Sequence, residues 1–295
     1  MAVSTVYLGP PGALARLPDP LQGPVESARV RKGGTHELLS GGTVRDTLGY
    51  RRQVKLTWKG LTADELSVLE ALYELGGPLR FLDPSRRNLL TVNQSTGTDA
   101  LDDTTGFAAP PQGTVTSDTT QFRSGSRSLK WDTVTSLSVT DRGVWLPTNG
   151  TTPDATWAAV LPSTVYTFSA YARANAAITM YAALDWKDAA GALLSTDFGT
   201  GTAVGTADWS TRLTVANKTS PATAAYAVPA VLDSTAPSAI RQVWVDDPQL
   251  EQATAASAWA LGTGVPLVVV DSFTPSSPIN APVAVFNADM VLVEV

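Results

Sequence analysis

Hydrophobic positions fall into short runs along the whole chain, and most runs alternate with polar residues. In the stretch 50–58, Tyr50, Val54, Leu56 and Trp58 take one side, while Arg51, Gln53, Lys55 and Thr57 take the other. That period of two predicts a half-buried strand. One stretch breaks the rhythm. Leu66, Val68, Leu69, Leu72, Tyr73 and Leu75 cover half of a helical wheel, and Asp64, Ser67, Glu70 and Glu74 cover the rest. Thr62 followed by Glu65 forms a capping box, Leu61 and Leu66 stand as a hydrophobic staple, and Gly76-Gly77-Pro78 is a stop signal. A helix is therefore predicted over 62–76, with its apolar stripe laid on a sheet.

Past residue 92 the composition shifts. Residues 93–120 are polar and turn-rich. After them come short alternating strands at regular spacing, among them YTFSAYARA, ITMYAALDW and IRQVWVDDPQLE, with little helical signal between them. This predicts an antiparallel sandwich over 93–255. Residues 256–295 return to strong strands but are too few to fold alone. They most simply complete the sheet begun by residues 1–92, making the middle module a guest within a discontinuous host. The fold class is mainly β throughout.

Composition narrows the chemistry. The 295 residues contain no cysteine and one histidine, His36. Disulfides, thiol nucleophiles and thiolate metal sites are excluded, a single histidine excludes a His-rich zinc site, and its place in a Gly-Gly-Thr-His turn argues against a Ser-His-Asp triad. The carboxylates of the middle segment lie mostly in turn contexts, which suit backbone capping rather than glycoside hydrolysis. No apolar run is long enough to span a bilayer, so no membrane insertion is expected. The first residues lack the basic and apolar regions of a signal peptide, so synthesis in a host cytoplasm is expected. Net charge is −6, distributed as +3 over 1–92, −6 over 93–255 and −3 over 256–295. Arg29, Arg31, Lys32, Arg45, Arg51, Arg52, Lys55 and Lys59 make the first segment basic. Overall acidity argues against nucleic acid as a partner and leaves solvated strand faces or a subunit interface.

Four pieces of the middle region, in order, resemble carbohydrate-binding modules of the jelly-roll type. They are Asn88-Leu89-Leu90 with Asn93, the hairpin Ser124-Gly125-Ser126-Arg127-Ser128-Leu129-Lys130, the strand opening at Val160–Tyr171, and Asp246-Asp247-Pro248-Gln249-Leu250-Glu251. Trp209 fits the tryptophan that usually precedes a core strand. The two ends resemble minor or distal tail proteins of phages infecting actinobacteria. This rests on Leu38-Leu39-Ser40-Gly41-Gly42, Trp58 with the helix after it, Pro78–Pro84 running into Asn88, and Trp259-x-x-Gly262-x-Gly264-x-Pro266. The second resemblance implies a tail-tube-like β-sandwich with one flanking helix. It further implies a virion component assembling as a ring, hexamer favoured over trimer, among other tail proteins and presenting its inserted module to host cell-surface glycan.

Sugar binding in water needs aromatic faces and polar groups side by side. Alternation places Tyr171 and Arg173 opposite Phe168, Ala170 and Ala172, and places Tyr181 and Asp185 opposite Met180, Ala182 and Leu184. Tyr171, Arg173, Tyr181 and Asp185 are thus expected to share the outer face of one sheet. Trp145, Trp157 and Trp186 stand near strand ends, where loops would present them; Trp157 and Trp186 join the candidates. Asp102, Asp103 and Asp247, beside Asp246, offer hard oxygen ligands for a structural calcium ion. In the resembled modules an early acidic residue joins the aspartate pair; here Thr105-Gly106-Phe107-Ala108 has alanine at that place. Two other readings stay open: the module as a spacer with no ligand, and a polysaccharide-degrading enzyme.

Overall fold

The computed structural model describes residues 6–18, 26–32, 35–37, 40–45, 49–83, 85–108, 113–133, 143–146, 152–234, 240–277 and 285–295. Leu38, Leu39, Pro84 and the side chains of Arg31, Lys32, Arg45 and Tyr50 lie outside the described residues. In chain order the elements begin β1 (Tyr7–Gly9), β2 (Ala15–Arg16), β3 (Glu26–Lys32), β4 (Thr35–Glu37), β5 (Thr43–Arg45), β6 (Gly49–Leu61), α1 (Ala63–Glu74) and β7 (Leu79–Leu82). They continue with α2 (Val92–Ser95), β8 (Thr114–Asp118), β9 (Ser128–Asp132), β10 (Gly143–Trp145), β11 (Ala158–Ala159), β12 (Val165–Ala174) and β13 (Ile178–Lys187). The last are β14 (Leu193–Phe198), β15 (Thr202–Val204), β16 (Arg212–Thr219), β17 (Tyr226–Asp233), β18 (Gln242–Glu251), β19 (Leu267–Ser276) and β20 (Phe286–Glu294). The fold is mainly β, with antiparallel pairing throughout. Among the described residues no helix is long and apolar enough to cross a membrane.

The chain divides into two compact units. Unit 1 comprises Met1–Pro10, Leu14–Asp83 and Pro266–Val295; unit 2 comprises Pro11–Ala13 and Pro84–Val265. The crossings thus fall after Asp83 and before Pro266, outside the 92/93 and 255/256 positions read from composition. Asn88 accounts for the difference. Its side-chain amide donates to the carbonyls of Pro248 and Ala260, each at 2.9 Å, and its oxygen accepts from the backbone N–H of Leu90 and Leu250. Both flanking segments are thereby tied to β18.

Unit 1 is built on one antiparallel sheet in the order β2-β1-β7-β19-β20-β6-β3. The two C-terminal strands lie side by side between N-terminal ones: β19 pairs β7, and β20 pairs β6 through Val293↔Gln53 to Phe286↔Leu61. Five strand steps separate β2 from β6, roughly 24 Å if the sheet were flat. Yet the Trp58 indole on β6 donates to the carbonyl of Pro18, just past β2, at 2.6 Å. The sheet therefore curls around its core of Leu8, Leu56, Trp58, Phe81, Met290 and Leu292. The α1 helix has its capping box in place: Glu65 N–H donates to Thr62 Oγ1, and Thr62 N–H donates to Glu65. Its buried stripe is Leu66, Leu69 and Leu72, narrower than the half-wheel predicted, and Val68, Tyr73 and Leu75 are exposed. Tyr73 reaches Phe273 of β19, with ring centroids 5.9 Å apart.

Unit 2 is a jelly-roll-like sandwich. One sheet runs β10-β17-β13-β14, with β11 pairing β17 and β15 pairing β13. The other runs β16-β12-β18-β9-β8. Their inner faces supply Met180, Ala182, Leu184 and Trp186 on one side and Tyr166, Phe168, Ala170 and Trp131 on the other, all fully buried. The Tyr166 and Trp186 rings meet across the interior at 5.8 Å.

Candidate functional site

Strands β12 and β13 are consecutive in sequence but belong to different sheets. Tyr171 is in register with Arg212 on β16 and Asp246 on β18, whereas Tyr181 is in register with Leu232 on β17. The expected quartet is therefore split: Tyr171 and Arg173 face outward from one sheet, Tyr181 and Asp185 from the other. Alternation fixes which side of its own strand a residue occupies, and strand partners are a separate, non-local matter.

On the β13 sheet, register brings an outward row together residue by residue. Tyr181 lies across from Leu232; Ala183 lies between Ala230 and Phe198, with Trp145 beyond Ala230; Asp185 lies between Val228 and Thr196; Lys187 pairs Tyr226. Tyr181 and Phe198 meet edge to face at 5.5 Å, and Phe198 is 52% exposed. Ala183 and Ala230, small side chains between larger ones, are fully buried. Next to this aromatic pair, Asp185 accepts from the Thr196 hydroxyl at 2.6 Å. Burial pushes its pKa above the ordinary carboxylate value, against the Thr196 hydrogen bond, the Lys187 charge and the Trp145 indole. Burial likewise holds Lys187 below the usual lysine value, and its Nζ sits 4.7 Å from the Trp157 ring centroid.

The tryptophans expected on loops are interior. Trp186 is fully buried because β13 continues through it in phase with Leu184, and its indole donates to Asp197 at 2.8 Å. Trp157, 1% exposed, packs edge-on against Tyr226 at 5.4 Å. Neither offers a ring face to a ligand in solution. Trp145, also expected on a loop, lies within β10 and is 6% exposed, and alternation does not reach Thr196 or Phe198. Phe198 closes the short run LLSTDF, which is too brief to assign a partner strand from the sequence.

The opposite outer face is largely occupied. Arg123 lies over the Tyr171 ring, its guanidinium carbon 3.7 Å from the centroid, and that of Arg212 lies at 5.6 Å. Arg173 stands across from Trp244 and faces the charge of Asp208. Further along, Ala260 N–H donates to Gln249 and Ser257 N–H donates to Glu251, each at 2.8 Å, so the segment after β18 lies over that end.

The three aspartates proposed for calcium do not converge. Asp102 takes Arg127 at 2.5 Å, Asp103 caps its own turn through Thr105, and Asp247 takes Arg123 and the Ser124 hydroxyl. Among the described residues no group of three or more His, Cys, Asp or Glu is placed to hold a metal. Asp246, beside Asp247, accepts from the backbone N–H of Arg123, Ser124 and Asp247. Burial, and then the neighbouring Asp247 charge, push its pKa up to about 7.

Chemically, the β13 face offers an accessible aromatic corner beside a partly desolvated carboxylate. C–H-bearing ring faces stack on the former, and the latter accepts from hydroxyls strongly because little water competes.

No family model matches the chain and no curated protein matches it. Solved structures similar to part of it include the CBM22-1 xylan-binding domain of Xyn10C from Paenibacillus barcinonensis, at 16% identity and TM-score 0.39, covering 57% of this chain and 94% of that one. A second xylan-binding domain of CBM 22 matches at 16% identity and TM-score 0.41, covering 59% of this chain and 100% of that one. The enzymatically active domain of tailspike protein 4 from bacteriophage CBA120 matches at 11% identity and TM-score 0.38, over 56% of this chain and 22% of that one. Likenesses of this size leave both fold and ligand to be argued from this chain's own residues.

Proposed function

We propose that this chain is a binding protein rather than an enzyme, and that unit 2 holds glycan on the outer face of β13, β14 and β17. Tyr181 and Phe198 supply the stacking corner, Asp185 accepts from sugar hydroxyls, and Thr196 fixes the carboxylate. The observation that carries this reading is the pair of half-buried Tyr181 and exposed Phe198, with Asp185 one row from Phe198 on the same face. In the wider reading the chain is a structural component of a phage tail that presents this module to the host cell surface. The order of tail-protein-like motifs at the two ends supports that role. Self-assembly into a ring, a hexamer before a trimer, is part of the proposal.

Retention of the full chain on insoluble polysaccharides and actinobacterial cell walls tests the glycan reading. Wild type is expected to be retained and Tyr181→Ala with Phe198→Ala to be lost to the supernatant. Equal retention of both would refute this assignment, and release of reducing ends would favour the enzyme reading. Labelling of the chain in intact particles tests the tail role.

A further inference from the structure

We infer that Arg123 is a built-in counter-cation standing where the resemblance to carbohydrate-binding modules implies calcium. Its guanidinium, rather than a divalent metal, ties the turn at 121–128 to the Asp246–Asp247 end of β18.

The donor set makes the argument. Calcium binds through oxygen lone pairs that no other group has claimed. Here both carboxylates are claimed by the chain itself. Asp247 is fully buried and takes Arg123 Nη1 on one oxygen and the Ser124 hydroxyl, at 2.7 Å, on the other. Asp246 takes the backbone N–H of Arg123 at 2.7 Å and of Ser124 at 3.2 Å on Oδ2, and that of Asp247 at 2.8 Å on Oδ1. A bare buried pair of carboxylates would repel, and would be expensive to keep ionised without a cation. Arg123 supplies that cation and is itself held in place, because the Tyr171 ring lies against its guanidinium at 3.7 Å. The same turn is fastened twice more, by Ser126 on Asp99 and Arg127 on Asp102. Space is short as well: a Cβ on Gly97 would come within 3.0 Å of Asp246 Oδ1. The other member of the implied ligand set is absent, since alanine stands at 108.

Thermal melting of the full chain in EDTA and in calcium chloride, together with terbium luminescence sensitised through Tyr171, tests this. Wild type is expected to melt at one temperature in both solutions and to give no sensitised terbium emission. Arg123→Gln uncovers the carboxylate pair; it is expected to melt lower in EDTA, to recover part of that loss in calcium, and to gain terbium emission. Arg123→Lys, which keeps the charge but not the planar fork, is expected to melt between the two and to stay blind to calcium. Calcium stabilisation or terbium emission in wild type, removed by Asp247→Asn, would overturn the inference. So would an Arg123→Gln chain that folds, melts lower and ignores calcium. Should that variant not fold, the wild-type and Arg123→Lys responses decide alone.

Discussion

Tyr171 and Tyr181 project outward from opposite sheets of one sandwich, Tyr171 in register with Asp246 and Tyr181 with Leu232. They differ in availability too, since Arg123 lies over the Tyr171 ring while Tyr181 shares a solvent-facing corner with Phe198. Their substitutions are expected to separate. Tyr181→Ala and Phe198→Ala should each weaken glycan affinity about tenfold, on the order of 1.4 kcal/mol for a lost stacking ring. Tyr171→Ala should leave affinity unchanged but lower the melting temperature through loss of the Arg123 contact. Isothermal titration and thermal melting on the same three variants check both halves.

If Asp185 holds glycan as proposed, binding should depend on pH. The carboxylate form is the acceptor, so affinity is present above its pKa and lost as pH falls through it. Burial raises that pKa, so the loss begins at higher pH than an ordinary aspartate would give. Asp185→Asn should bind more weakly at neutral pH, roughly tenfold for a lost charge-assisted hydrogen bond. It should also flatten the profile. Titrations across the acid range on wild type and variant give the comparison.

The two buried tryptophans should report on stability and not on the ligand directly. Trp186→Ala, removing a fully buried ring from between the sheets, should destabilise by about 3–5 kcal/mol. Trp157→Ala should cost a similar amount and disturb Lys187, which rests on its ring. Denaturant unfolding measures both.

Stability itself should depend on pH through Asp246. Its folded pKa of about 7 lies above the ordinary 3.8, so the folded state binds more protons between those values. The sign follows: this contribution is fully present below pH 3.8 and lost as pH rises towards about 7. The charged groups facing it are Asp247, which raises the pKa, and Arg123, held on Asp247. Asp246→Asn should remove this part of the profile, as melting curves between pH 4 and pH 8 would record.

What could be read from the sequence was local. The capping box at Thr62 and Glu65 and the inward faces of β12 and β13 depend on residues within a turn or a strand of each other, and each stands in the structure. The proposed site was legible only in half. Tyr181 and Asp185 followed from alternation, but their neighbours Phe198, Thr196 and Trp145 arrive through pairing with β14 and, by way of β17, β10. Trp186 was misplaced by one strand end: β13 runs on to Lys187, which keeps the indole in phase with the core. The aspartates near 102 and 247 looked like free ligands because their partners, Arg127 and Arg123, are distant in sequence and carry no spacing signal.

Hydroxyl-radical footprinting of the full chain, with and without a polysaccharide that retains it, tests most directly which face carries the ligand. Protection concentrated at Tyr181 and Phe198, with Tyr171 unchanged, is the predicted result. Protection at Tyr171 with Tyr181 and Phe198 still reactive, while polysaccharide is bound, would contradict it.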